Sequence, residues 1–283
     1  MTGWAMFSLG VASGVGLAGV IARWRVRRLM QRRAQAERRA RDAERMAEIG
    51  AMTGGLAHEI KNPLSTIGLN AQLLAEGVEE LPEGAPVTRD DKQRLVRRIG
   101  SLRRETERLR GILQDFLTYA GEPRPDARRQ DLNAALTELV DFFLPQAQTN
   151  GVRLHADFAP GEVPAVFDAS LVKQAVLNLL LNALQAMSTN APGAPRELIV
   201  RTRAAQPRTP NEPRGAEIHV IDTGPGIPPG VRDRIFRPYF TTKSGGSGLG
   251  LATARRIVEA HGGHIDVRSD VGRGTDFCIS LPA

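Results

Sequence analysis

The chain has 283 residues, a formal charge of +7 and a single cysteine, Cys278. That length fits about two domains, and a lone cysteine excludes an internal disulfide and fits a reducing compartment. Ten arginines and three acids (Glu37, Asp42, Glu44) lie between Arg23 and Arg45 and account for the whole net charge, so no basic nucleic-acid face is expected elsewhere.

Residues 2–22 carry no charge and are mostly apolar or small, close to the ~20 residues that span a bilayer. A single-pass transmembrane anchor is therefore expected over 1–22. Arginines at 23, 25, 27 and 28 would stay cytoplasmic and Trp24 suits the interface, so the remainder is expected on the cytoplasmic side of the inner (plasma) membrane. No positive region precedes the apolar run and an Arg-rich stretch follows it, which disfavours a signal peptide. Residues 23–45 read as a basic juxtamembrane helix, without Gly or Pro, facing anionic membrane lipid.

Residues 46–120 read as a helical hairpin. Ile49, Met52, Leu56, Ile60, Leu64 and Ile67 recur in steps of three or four, one face of an amphipathic helix. His58 lies within it, followed by Glu59, Asn62 and Pro63. Asn62 stands one turn from His58 on the same side. Pro63 cannot donate to the carbonyl of Glu59, so the helix is expected to bend or loosen there. The turn spans 79–86, and a second helix is expected over about 88–119, with Leu95, Ile99, Leu102, Leu109, Ile112, Leu113 and Phe116 apolar. Such a hairpin cannot bury both faces alone. Two copies would form a four-helix bundle, which predicts a homodimer.

Residues 121–130 read as a linker and 131–283 as an α+β domain: one sheet with helices on one face, an α/β sandwich. Helices are expected over 131–148, 170–187 and 250–261, strands over 153–158, 198–203, 217–222, 264–269 and 275–281, and a polar loop over 208–213. Three motifs carry chemistry. Asn178 and Asn182 sit at i and i+4 on one helix, where buried amides need partners and Mg²⁺ accepts oxygen ligands; taken alone, helix–helix hydrogen bonding is the commoner cause. Asp222-Thr223-Gly224-Pro225-Gly226-Ile227 follows a strand, an acid beside glycines that let a ligand reach the backbone. Gly246-Ser247-Gly248-Leu249-Gly250-Leu251 runs into a helix whose N-terminus favours phosphate. Each is weak by itself.

Together and in this order, the motifs closely resemble those of a sensor histidine kinase. His58 lies in the H box and 178–183 form the N box. Residues 222–227 form the first Gly box, 236–243 (Phe-Arg-Pro-Tyr-Phe-Thr-Thr-Lys) the F box, 246–251 the second Gly box, and 272–277 a closing strand turn. The resemblance covers about 45–283, and the Phe-Thr-Thr-Lys form resembles the nitrogen-regulation type. It implies an ATP-binding domain of the gyrase and Hsp90 kind. ATP would be held by Asn178, Asn182, Asp222, Gly224, Gly226, Ile227, Phe236, Lys243, Gly246, Gly248, Leu249, Gly250 and Thr275, with Mg²⁺ on Asn182. Asp222 would bind the adenine amine and Lys243 the phosphates. Asn178 stands where cousins carry a water-activating glutamate, which favours transfer over hydrolysis. His58, Glu59 and Asn62 are the implied catalytic residues, and an aspartate of a separate response regulator the implied phosphoryl acceptor. The alternative is an ATPase or serine kinase on the same fold. Outside these motifs, His261-Gly262-Gly263-His264 reads as a helix end, His155 and His219 as packing residues, and Cys278 as a core residue.

Overall fold

The computed structural model describes residues 28, 46–47, 50, 52–81, 86–191, 193–205, 215–243 and 246–282. The proposed anchor at 1–22, the basic stretch at 23–45 apart from Arg28, and the polar loop at 208–213 lie outside the described residues. Among the described residues, no helix is long and apolar enough to cross a membrane. Of the residues before 55, the described ones are all helical, and the Thr53 hydroxyl donates to the Gly50 carbonyl at 2.6 Å.

Helix α1 runs over 52–79 without a break at Pro63, which is buried within it. A proline removes one backbone bond. The rest of the ladder carries the helix past it, with the Ser65 and Thr66 hydroxyls donating to the carbonyls of Lys61 (2.9 Å) and Asn62 (3.2 Å). Helix α2 spans Arg89–Ala120. It starts at a capping box in which the Thr88 and Asp91 side chains each accept the other's backbone N–H. The Thr88 hydroxyl and the Arg94 guanidinium beside the Asp91 carboxyl hold it below its usual range.

The remainder forms a sheet domain. Strand β1 (Arg128–Asp131) pairs antiparallel with β3 (Pro164–Phe167). Sequence reading missed both, because four-residue strands show too few alternations to register; β1 falls in the stretch read as linker. The main sheet has the order β2-β4-β5-β7-β6, built from β2 (Arg153–Asp157), β4 (Glu197–Ala205), β5 (Gly215–Asp222), β6 (His264–Asp270) and β7 (Gly274–Leu281). Only the β2–β4 pair is parallel. Helices α3 (Leu132–Thr149), α4 (Ala169–Met187) and α6 (Gly250–Ala260), with the short α5 (Pro229–Arg232), complete it.

Aspartates start two of the helices. Asp131 accepts from the amides of Asn133, Ala134 and Val163, tying α3 to the approach to β3. Asp168 accepts from those of Ser170, Leu171 and Asp126, which holds its carboxyl below the usual range despite partial burial. Along β5 the side chains alternate, with Ala216, Ile218, Val220 and Asp222 buried and the intervening residues half-buried. One face of the sheet therefore meets the core, against apolar stripes such as Val172, Val176, Leu179 and Leu180 of α4. Each large side chain so buried contributes about 1.5–3 kcal/mol.

Candidate functional site

Asp222 ends β5 as the one acidic residue in the buried layer of that strand, only 3% exposed. Its carboxylate accepts from the Gly224 amide at 2.8 Å and from the amide of Thr275, its register partner on β7. Burial dominates over these donors and over the nearby Lys243 charge, and pushes the carboxyl up to about 6.

Asn178 and Asn182 share one face of α4, both half-buried. Lys243, in the segment before α6, donates from Nζ to the Asn182 Oδ1 at 2.7 Å and to its backbone carbonyl at 3.0 Å. Burial lowers the Lys243 pKa, and the Asp222 charge partly offsets this. Asn178 faces the start of α6, where a Cβ at Gly250 would stand 4.0 Å from its Cβ and Cγ. The Asn182 amide oxygen thus already accepts a cationic donor. It is an oxygen donor of the type Mg²⁺ takes, so the residues present fit that ion.

Two of the predicted loop glycines combine a positive φ with no room for a Cβ. Gly226 has φ +74° and a Cβ there would fall 2.2 Å from the Asp270 carbonyl oxygen. Gly248 has φ +64° and its Cβ would fall 2.7 Å from the Tyr239 carbonyl carbon. Ser269, which sequence reading missed, fastens the first glycine loop. Its hydroxyl accepts the Ile227 amide (2.8 Å), donates to the Gly274 carbonyl (2.8 Å) and lies 3.0 Å from the Thr275 hydroxyl. Arg232 adds a bond to the Ser269 carbonyl. Thr223 accepts the Glu197 amide and donates to the Pro195 carbonyl, both at 2.9 Å, closing the loop between α4 and β4 onto the end of β5. A serine or threonine in a strand or turn carries no local signal of such long-range bonds.

The other predicted positions lie in different settings. Phe236 packs edge-on against Phe277, with centroids 6.3 Å apart, and lies under the Arg255 guanidinium. The Leu249 side chain is wholly buried. A Cβ at Gly246 would stand 3.3 Å from the Thr241 hydroxyl.

On α1, His58 and Asn62 are exposed and Glu59 is half-buried. Among the described residues no hydrogen bond joins His58 to Glu59, as expected of adjacent residues on a helix. The Tyr239 ring lies against Gly55, one turn before Glu59, where an added Cβ would stand 3.0 Å from its Cγ and Cδ2. Tyr239 is the one non-glycine with positive φ (57°) among the described residues. Its hydroxyl and the Glu59 Oε2 are both buried without a hydrogen-bond partner among the described residues. Burial, then the Glu59 charge, raises the Tyr239 pKa. The sheet domain also meets α2. The Ser247 hydroxyl donates to Asp115 at 2.7 Å, and Arg256 bonds the Tyr119 carbonyl with its guanidinium 4.6 Å over the Tyr119 ring.

His261 ends α6 and uses both ring nitrogens, Nδ1 toward the Ile257 carbonyl (2.7 Å) and Nε2 accepting the Asp168 amide (3.0 Å), so no lone pair is left for a metal. Cys278, expected in the core, is instead half-buried on the opposite face of the sheet, its sulfur 3.7 Å from His219 Nε2. Strand alternation explains this, because Phe277 and Ile279 on either side of it take the core positions.

Residues 48–121 match the His Kinase A (phospho-acceptor) domain family, and residues 167–283 the histidine kinase-, DNA gyrase B-, and HSP90-like ATPase family. The sensory histidine kinase/phosphatase NtrB of Escherichia coli O157:H7 is 34% identical over 231 residues, covering 81% of this chain and 60% of NtrB. The signal transduction histidine-protein kinase AtoS of Escherichia coli K12 is 32% identical over 254 residues, covering 88% of this chain and 37% of AtoS. The chain thus spans less than two thirds of the length of either relative. The crystal structure of histidine kinase ThkA in complex with response regulator protein TrrA shares the fold, with a TM-score of 0.63 and 24% identity over 84% of this chain and 63% of that one. With the two domain families following one another along one chain, and relatives of one kind matching across both, the protein belongs to the two-component sensor histidine kinases.

Proposed function

We propose that the protein autophosphorylates His58 from ATP and passes the phosphoryl group to an aspartate of a separate response regulator. The observation that carries this reading is the pairing, in one chain, of an exposed His58 with a buried Asp222 and a half-buried Asn182 and Lys243 joined by a hydrogen bond. Asp222, held between the Gly224 and Thr275 amides, is the acceptor for the adenine amine. The glycines of both loops shape the pocket and its lid, with Phe236, Ile227 and Leu249 behind them. Asn182 would hold Mg²⁺, with Asn178 one turn away. Mg²⁺ neutralises phosphate charge when bound.

A neutral imidazole carries a nucleophilic nitrogen lone pair. A ring nitrogen of His58 attacks the γ-phosphorus, a P–N bond forms, and the P–O bond to ADP breaks. The proton on the other ring nitrogen goes to Glu59 as general base, after a side-chain rotation. Lys243 supplies positive charge at the phosphates. Asn62, one turn from His58, orients water for the reverse dephosphorylation.

The same reading includes a homodimer and a membrane anchor. Leu64, Leu69, Ile99, Leu113 and Leu117 of the hairpin are each about half exposed or more, as a four-helix bundle with a second copy requires. Residues 1–22 are the anchor, with the following arginines on the lipid surface and the kinase domains cytoplasmic. Incubation with γ-labelled ATP tests the central claim. Label should appear, be lost in acid, survive base, and be absent from His58→Gln. Acid-stable label, or label in that variant, would place the phosphate on another residue and favour the serine kinase reading.

A further inference from the structure

The sheet face opposite the core carries a cluster that nucleotide binding and phosphotransfer leave unused. Glu217 and His219 lie on β5 and Asp276 and Cys278 on β7, with His219 and Cys278 paired in register. One ligand atom each from Glu217, His219 and Cys278 lies within 4.8 Å of the others. His219 Nε2 is 3.7 Å from the Cys278 sulfur and 3.7 Å from Glu217 Oε2. Metal–ligand bonds of 2.0–2.3 Å at tetrahedral angles put neighbouring donors roughly 3.5 Å apart. Two of the three donor separations are therefore already near that spacing, and the third is within 4.8 Å.

A second observation concerns the histidine itself. His219 Nδ1 lies 3.0 and 3.1 Å from the two oxygens of Asp276. A carboxylate there fixes the tautomer with hydrogen on Nδ1 and leaves the Nε2 lone pair directed at the cysteine and glutamate side. This carboxylate–histidine arrangement is the one that orients metal-bound histidines. The His219, Asp276 and Glu217 side chains keep 15%, 26% and 31% exposure, which leaves an entry path.

We propose that Glu217, His219 and Cys278 bind a divalent metal ion of zinc type, with Asp276 orienting His219 and a water in the fourth position. One nitrogen, one sulfur and one oxygen donor select zinc over Mg²⁺ or Ca²⁺, which take oxygen ligands. The ion would cross-link β5 to β7 three residues from Asp222 on one strand and three from Thr275 on the other. It would thus brace the two strands that end at the adenine acceptor.

The test is titration of the full chain with Zn²⁺ and with Co²⁺ under reducing conditions. Expected are saturable one-to-one binding, a thiolate-to-cobalt charge-transfer band, and a rise in the thermal unfolding midpoint. Cys278→Ser and His219→Gln should each abolish the band, and Asp276→Asn should weaken affinity about 10–100-fold. His264→Gln, on neighbouring β6, should leave all three unchanged. Absence of one-to-one binding, or a band that persists in Cys278→Ser, would overturn the proposal. Because the Cys278→Ser chain keeps every residue of the nucleotide pocket, its binding of an ATP analogue separates misfolding from loss of the metal site.

Discussion

The hairpin and the sheet domain use apolar residues in opposite ways. Helix α2 has 32 residues, and only Ile112 and Tyr119 are buried. Helix α4 has 19, and eight are buried. Both show helical periodicity, so periodicity alone does not say whether a face is covered within the chain. The sheet domain closes its own core, with Phe143, Phe167 and Phe277 almost wholly inaccessible. The hairpin leaves Val96, Ile99 and Leu113 about half exposed, on the helices for which a second copy is proposed. The self-contained region holds Asp222, Asn182 and Lys243, the residues proposed to bind nucleotide, and the hairpin presents the exposed His58.

The largest effects should separate the two regions by activity. Asn182→Ala and Asp222→Ala should each abolish ATP-dependent labelling, whereas an equivalent change at exposed Asn62 should leave autophosphorylation largely intact and weaken regulator dephosphorylation. Labelling and dephosphorylation assays on the three variants check this; equal loss of both activities in Asn62→Ala would make Asn62 structural.

Stability sharpens the contrast next. Phe143→Ala removes a fully buried ring of α3 and should cost about 3–5 kcal/mol. Ile99→Ala, at 54% exposure, should cost under about 0.5 kcal/mol in an isolated chain. If a second copy covers Ile99, the loss should be larger and should depend on protein concentration. Urea unfolding at several concentrations distinguishes these outcomes.

A pH dependence should belong to the sheet domain. Asp222 titrates near 6 in the folded chain against an ordinary value of 3.8. The folded state therefore holds this proton more tightly than the unfolded state. Stability should fall as pH rises from about 4 through about 6, and stay level above, by an amount on the order of 3 kcal/mol. Asp222→Asn should flatten that part of the profile, as measured by urea unfolding without nucleotide. An unchanged slope would mean the carboxyl is better solvated than its 3% exposure indicates.

A more local effect should come from the hairpin cap. Thr88→Ala removes the acceptor for the Asp91 amide and should cost about 0.5–2 kcal/mol, visible as fraying of the start of α2 in hydrogen exchange.

By itself, the sequence determined the long helices, the longer strands and the order of the motif boxes. Those signals are local: a 3.6-residue or two-residue period, a cap, a glycine cluster. The apolar stripe of α4 is written in consecutive turns, and Asp222 stands out as an acid ending an alternating strand. Only the tertiary structure decided which distant groups meet. Lys243 reaches Asn182 across 61 residues of chain, Ser269 reaches Ile227 across 42, and β1 pairs with β3. The register of β5 against β7 sets His219 beside Cys278 and away from the core. Strand alternation places side chains on two faces, but nothing local says which face is covered or which residue stands opposite. That depends on pairing between segments far apart in sequence.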